Sequence, residues 1–460
     1  MTGPGLTDTA EFQPPAERAT QAWRWDLLAL LCGAALVVAS AFEGRRLLAA
    51  GVNIFLGFPP LLASWMPHFG PGTVPAIATA ATVVIWGPRL AHRLRWRTLL
   101  LTGWAAAAVW TTSLALVDGW QDGVAGRLTT DQEYLFDLPR APTIAGMLHE
   151  FTARMPTDQP VHWTTHVGGH PPGAFLVFLV LDRLGLTGGG PAALFCILVG
   201  SSAVAAVAVT LRCCVGAETL ARQVLPFSVL FPGAIWVGVS ADGMFAGVLA
   251  WAAALLALGA THRGRWADLA ALGAGLLFGY TLYLSYGLLL GGCLIPAVIL
   301  GLKAADRRTR PVLIGGAGVG AVGLAFTAAG FWWPTGFEIL RMLYAASIAK
   351  SRPYEYFWWT NLAACAFVLG PAVLVGLCRV ARSPRALPLP AVLLTSAGLV
   401  AILAADISGL SKGEVERIWL PFAVWLVVGT ASLPANQRRA WLAAQATLTL
   451  LVNHLLFTVW

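Results

Sequence analysis

The chain has 460 residues, of which 57% are hydrophobic and 11% charged. A water-soluble domain carries roughly 25% charged residues, so this composition excludes an ordinary soluble fold. The net charge of +8 comes from cations that flank apolar runs, with no free basic face interleaved with aromatics. That sets nucleic acid aside as a partner and matches the positive-inside pattern of a membrane protein.

Taken in order, residues 1–26 form a polar, Pro-containing stretch expected to be a disordered cytosolic N-terminus. It is too long and too acidic for a signal-peptide n-region, so the first span is expected to remain as an anchor. Residues 27–460 read as a single all-α, polytopic transmembrane domain. Many apolar runs approach the ~20 residues that cross ~30 Å of hydrocarbon. Leu27–Phe42, Thr73–Leu90 and Leu99–Val117 come first, and the second ends in the basic run RLAHRLRWR, which fixes a cytosolic end. Pro171–Leu186 is apolar but short. Pro191–Leu211, Val224–Ser240, Gly243–Ala260, Ala267–Tyr283, Gly287–Leu300 and Val312–Phe331 follow. Phe357–Leu377, Leu389–Ala405, Ile418–Leu433 and Trp441–Phe457 complete the set. A tight turn is expected at Ser240–Gly243.

Parity sets the topology. If Pro171–Leu186 crosses fully, Arg212/Arg222, Arg263/Arg265, the run KAADRRTR at 303–310, the Arg379–Arg385 cluster and Arg438/Arg439 all fall outside. If it returns to the outer face, they fall inside, together with most of the 30 Lys and Arg. The second arrangement predicts about 13 spans plus one re-entrant or membrane-parallel helix, an irregularity tolerated only where protein or water covers it. Four loops then share the outer face: 43–71, 118–170, 332–356 and 406–417.

The chemistry-bearing residues lie in those loops. Asp131, Glu133 and Asp137 are spaced so that the latter two share a helical face. A carboxylate there can act as a general base toward a hydroxyl or hold a divalent cation. Equally, Thr130-Asp131-Gln132-Glu133 is an ordinary helix start. His162, His166 and His170 recur every four residues, but Gly168-Gly169 and Pro171-Pro172 argue against one continuous helix of zinc ligands. His166 and His170, at the Pro-Pro step, can instead hydrogen-bond a phosphate or a sugar. Lys412-Gly413-Glu414-Val415-Glu416-Arg417 is dense charge abutting an apolar run, costly unless exposed or paired. Lys412 and Arg417, helped by Lys350 and Arg352, are suited to gripping a phosphate, and the alternative is a flank of snorkelling ion pairs. Glu414 belongs to the same cluster. Asp242 is read as a helix cap. Trp332, Trp333, Tyr354, Tyr356, Trp358 and Trp359 read mostly as an interfacial belt. All seven cysteines sit in or beside apolar runs without a Cys-x-x-Cys pair, which leaves a disulfide framework or thiolate zinc site unsupported.

Placed in this order, the motifs resemble those of the GT-C superfamily of integral-membrane glycosyltransferases. That group includes the protein O-mannosyltransferases, the aminoarabinose transferases and the actinobacterial arabinosyl- and mannosyltransferases. Asp131-Gln132-Glu133-Tyr134 is similar to their acidic loop motif, His170-Pro171-Pro172-Gly173 to their Pro-Pro-Leu step, and Glu416-Arg417-Ile418-Trp419-Leu420-Pro421 to a later Arg-Tyr-x-x-Pro signature. The likeness covers roughly residues 98–425, and its wording looks most similar to actinobacterial membrane proteins. Gln132 interrupts the Asp-Glu pair, so the base is either Asp131 or Glu133, and Gly173 stands where leucine is usual. The resemblance implies a polyprenyl-phosphate sugar donor and an acceptor on the outer side, a cell-envelope glycan, lipid or protein. It also implies an inverting transfer assisted by the loop carboxylate. No cofactor is demanded, and a divalent cation, Mg or Mn, is compatible with Asp131 and Glu133. Two other classes remain. One is a transporter or flippase, which would carry repeated halves or ionisable residues at mid-membrane. The other is a catalytically inactive membrane scaffold, hinted at by the interrupted acidic pair.

Overall fold

In the computed structural model, which describes residues 19–141, 143–215, 218–302 and 309–459, the chain is almost entirely helical. Nine helices among the described residues are long and apolar enough to cross a membrane, which makes this an all-α polytopic membrane protein.

Helix α1 (Ala19–Ala49) takes in residues 19–26, and residues 1–18 of the expected N-terminal tail lie outside the described residues. A loop carrying the short strand β1 (Ala63–Trp65) leads to α2 (Thr73–Arg93) and α3 (Trp96–Ala115). The long loop that follows is folded rather than open. It contains a short 3₁₀ helix at Tyr134–Arg140, then α4 (Ile144–Glu150) and the single turn α5 (Thr165–Gly168). Helix α6 (Pro172–Arg183) is only ~18 Å long at 1.5 Å per residue, short of the ~30 Å hydrocarbon thickness. Helices α7 (Gly189–Ser201) and α8 (Ala203–Val215) stack end to end as one apolar rod.

The expected run Val224–Ser240 is not one helix. It splits into α9 (Glu218–Val229) and a turn of α10 (Ala234–Val237), because Pro232-Gly233 lies between them and proline cannot continue the hydrogen-bond ladder. Helix α11 (Ala241–Thr261) is the central post, with 78% of its apolar window buried against 11% for α1. Its Ala-rich faces let neighbours approach closely, which is how helices associate where lipid removes the hydrophobic drive. Helices α12 (Arg265–Leu284), α13 (Leu294–Gly301), α14 (Thr309–Ala328) and α15 (Trp333–Ala346) follow. Gly287–Leu300 is 3₁₀ in its first half. The long α16 (Tyr354–Arg382), α17 (Leu389–Ile407), the turn α18 (Val415–Ile418), α19 (Leu420–Leu426) and α20 (Arg438–Leu455) complete the bundle. Strand β2 (Leu456–Thr458) pairs antiparallel with β1, Ala63 opposite Thr458.

Two basic helix ends are tied to acids on neighbouring helices. Arg379 makes a two-pronged bond to Asp26 at 2.9 and 2.5 Å, joining α16 to α1. Arg310 does the same to Asp268 at 2.8 and 2.8 Å, joining α14 to α12. Residues 303–308 of the KAADRRTR run lie outside the described residues. Of the expected loop 43–71, residues 43–49 continue α1, and the remainder is packed, with Ile54, Leu56 and Leu61 buried and the first two against Tyr356 and Phe357. Tyr356 is thereby removed from the aromatic belt, whereas Trp332 and Trp358 remain exposed.

Candidate functional site

Residues 411–417 form a loop whose backbone is held from several directions. Asn361 donates to Asp406 at 2.9 Å and to the Ser411 carbonyl at 2.7 Å, and its own oxygen accepts from the Gly413 amide at 3.1 Å. Gly413 (φ 85) and Glu414 (φ 61, ψ 15) both turn through the left-handed region. Glycine enters it freely, and a glutamate there costs on the order of 1 kcal/mol. That double turn points the charged side chains of 414, 416 and 417 inward, where each meets a different neighbouring loop.

Arg417 is the hub. Its guanidinium donates to Asp242 at 2.6 Å, to Glu414 at 3.1 Å and to Nε2 of His166 at 3.0 Å, in a buried setting. Because arginine only donates, Nε2 of His166 is the acceptor. The ring proton then sits on Nδ1, which lies 2.8 Å from Glu133 Oε1. The second oxygen of Glu133 is buried without a hydrogen-bond partner among the described residues. Glu414 also contacts Arg352 at 3.3 and 3.4 Å, and Arg352 further donates to the carbonyls of Lys412, Ile54 and Phe55. Glu416, fully buried, accepts from the Leu62 amide at 3.2 Å. Loops 50–72, 118–170, 332–356 and 406–417 therefore meet at one point.

The electrostatics follow from this closure. Burial works to raise the carboxyls of Glu133 and Glu414. For Glu133, the contact with His166 and then the charges of Arg417 and His170 outweigh it, and for Glu414, Arg417 and Arg352 do, so both are held below the usual carboxylate value. Glu416 lacks such partners, and burial pushes its carboxyl up to about 7. For Arg417, burial works against the charge, but Asp242, Glu414 and Glu133 overcome it and raise its pKa. Burial lowers His170, whose Nδ1 lies 2.8 Å from the His166 carbonyl and 3.1 Å from the Tyr134 hydroxyl. His170 thus braces the loop from within.

Several expectations change in this light. Arg417 is paired with Asp242 and Glu414, and Arg352 with Glu414, so neither stands alone as a charge beside an apolar run. Asp242 is not the cap of α11, since the Ser240 hydroxyl accepts from the Gly243 amide at 3.2 Å and fills that role. Asp137 does not share Glu133's surroundings; it is fully buried, pairs with Arg140 and accepts from the Thr164 amide at 2.7 Å. As the Gly-Gly and Pro-Pro steps lead one to expect, the three histidines do not line one helix face, and α5 is a single turn holding only His166. Gly173 has its own reason: a Cβ there would lie 2.5 Å from the Tyr283 carbonyl oxygen, and the Tyr280 hydroxyl donates to its carbonyl at 2.9 Å.

Asp131 stands apart. It is exposed and lines a cavity of about 550 Å³ with Gln132, Arg140, Thr164, Trp163 and Tyr344, among others. Glu133, His166 and Arg417 are not on that wall. The two acids of the motif face different spaces, so they do not fit a single divalent cation as joint ligands. A second cavity, of about 600 Å³, is lined by Arg341, Lys350, Lys412, Glu338 and, on its shared side, Tyr344. Lys412 donates to the carbonyls of Ala349 and Arg352 at 3.0 Å each. Sequence spacing missed Arg341 and the partner role of Asp242. The only signal was an isolated charge next to an apolar run in each case.

Comparison with known proteins gives no matching family model and no matching curated protein.

Proposed function

We propose that the chain is a membrane glycosyltransferase of GT-C type, moving a sugar from a polyprenyl-phosphate donor to a cell-envelope acceptor at the outer face. The observation that carries this reading is Asp131 on the wall of a roomy cavity whose other walls offer an amide, hydroxyls and aromatic faces. Those are the groups that orient a polyhydroxylated ligand in a concave site. In the proposed step the Asp131 carboxylate takes the proton of an acceptor hydroxyl. The hydroxyl oxygen forms a bond to the anomeric carbon as the bond to the lipid phosphate oxygen breaks, and the configuration inverts. Glu133 serves the reaction indirectly: with His166 and Arg417 it anchors the loop that carries Asp131. The proposed topology has about 13 spans, a cytoplasmic N-terminus and α6 as the re-entrant or membrane-parallel helix, a reading supported by its short length.

A transporter or flippase is the competing reading. It is favoured by the buried charges Asp242, Arg417 and Glu133 beside the first turn of α11, since intramembrane ionisable groups commonly line transport pathways. Reconstitution into liposomes with a panel of radiolabelled polyprenyl-phosphate sugars separates the two. Transfer to an acceptor that falls by about 10²–10⁴-fold in Asp131→Asn supports the transferase. Absence of transfer from every donor, or an unimpaired Asp131→Asn, removes it.

A further inference from the structure

We infer that the cavity formed by Arg341, Lys350 and Lys412 binds the phosphate of an anionic lipid headgroup. The inference does not rest on the transfer reaction proposed above. Several cations of the bundle are tied to carboxylates: Arg379 to Asp26, Arg310 to Asp268, Arg222 to Glu218. Among the described residues, Arg341, Lys350 and Lys412 have none, and Glu338 is the one acid on the cavity wall. Lys412 is fixed in place by its two bonds to the carbonyls of Ala349 and Arg352, which leaves one of its three N–H groups for a ligand. The cavity, about 600 Å³, falls within the range of small-molecule sites.

The rim says what kind of anion belongs there. Met342 and Leu410 line the cavity and are 60% and 42% exposed, and Ile348 and Ile407, beside the lining residues in the chain, are 46% and 73% exposed. A free phosphate gains nothing from these apolar groups, whereas a lipid covers them with acyl chain while its headgroup meets the cations. Tyr344, whose hydroxyl accepts from the Lys412 amide at 3.1 Å, walls this cavity from the one holding Asp131.

The test uses the purified full chain in a neutral detergent, titrated calorimetrically with dioctanoyl phosphatidylglycerol, dioctanoyl phosphatidylcholine and inorganic phosphate. The variant is Arg341→Gln/Lys350→Gln. Both side chains are exposed, so folding is checked simply by an unchanged elution profile, and Lys412 is left in place because it ties backbone. Phosphatidylglycerol is expected to bind the native chain, to bind the double variant about thirty-fold more weakly, and to lose affinity as salt rises. Equal binding to both proteins, or phosphatidylcholine binding as tightly as phosphatidylglycerol, overturns the site. Inorganic phosphate binding as tightly as phosphatidylglycerol overturns the lipid assignment.

Discussion

Replacing Arg417 by alanine removes one cation from contact with three groups at once. Asp242, the closest at 2.6 Å, has a side chain only 5% exposed and finds no other side-chain partner among the described residues. Glu414 keeps Arg352, at 3.3 Å, so its loss is partial. The dominant cost is thus one stranded buried carboxylate, for which removal of a partner costs about 3–5 kcal/mol. Thermal unfolding of the detergent-solubilised protein, followed by tryptophan fluorescence, is the assay. Arg417→Ala is expected to unfold several degrees below the native chain, Asp242→Asn to fall less, and Arg417→Met/Asp242→Asn to recover most of the loss, because a stranded charge costs more than a missing pair. An Arg417→Ala midpoint equal to the native one would refute the reasoning. So would a double variant no better than the single.

Glu416 gives a pH dependence of definite sign. Its folded value, about 7, lies above its unfolded value of roughly 4.3, so the folded state holds the extra proton. Its contribution is complete below the unfolded value and is lost as pH rises toward 7, roughly 4 kcal/mol over the window. Midpoints measured from pH 5 to 8 should decline in the native chain and flatten in Glu416→Gln. Glu133 and Glu414, held low, act oppositely: their stabilisation is present above the unfolded value and lost as acid takes pH through their folded values, so Glu414→Gln should reduce the acid sensitivity below pH 4. Glu133→Gln keeps the shape but weakens the contact with His166. It is expected to cost about 1–3 kcal/mol, read as a lower midpoint, while Asp131→Asn, being exposed, leaves the midpoint unchanged.

The apolar runs could be read from the sequence because a membrane span must be both long and nearly uncharged, and α2, α3, α11 and α12 fall where that rule puts them. The rule fails where length is met but continuity is not: Pro232-Gly233 breaks one run, and Gly287–Leu300 winds partly as 3₁₀ helix. At the site, Glu414 and Arg417 announce themselves as charge beside an apolar run, which demands pairing, and Glu133 and His166 only as polar groups of the long loop. Which pairs form depends on residues 251 apart in the chain, as for His166 and Arg417, and no local spacing carries that. Nor does the sequence reveal that Glu414 turns left-handed to meet both Arg352 and Arg417. Asp131 and Glu133, two residues apart, look alike in the sequence, yet the loop's fold sends one to a cavity wall and the other into the interior.

The hub at Arg417 also fixes an order of assembly. Asp242, Glu133 and His166 are made and threaded into the membrane well before their cation exists. At roughly 5–20 residues per second of synthesis, the 251 residues between His166 and Arg417 correspond to about 10–50 s. Asp242, 175 residues before Arg417, waits about 9–35 s at the same rate with no guanidinium to meet. The bundle therefore emerges from the ribosome as a set of helices with this loop junction still open, and the last quarter of the chain closes it. A nascent chain stalled before residue 417 should expose Glu133 and His166 to water-borne reagents, and release of the full chain should seal them.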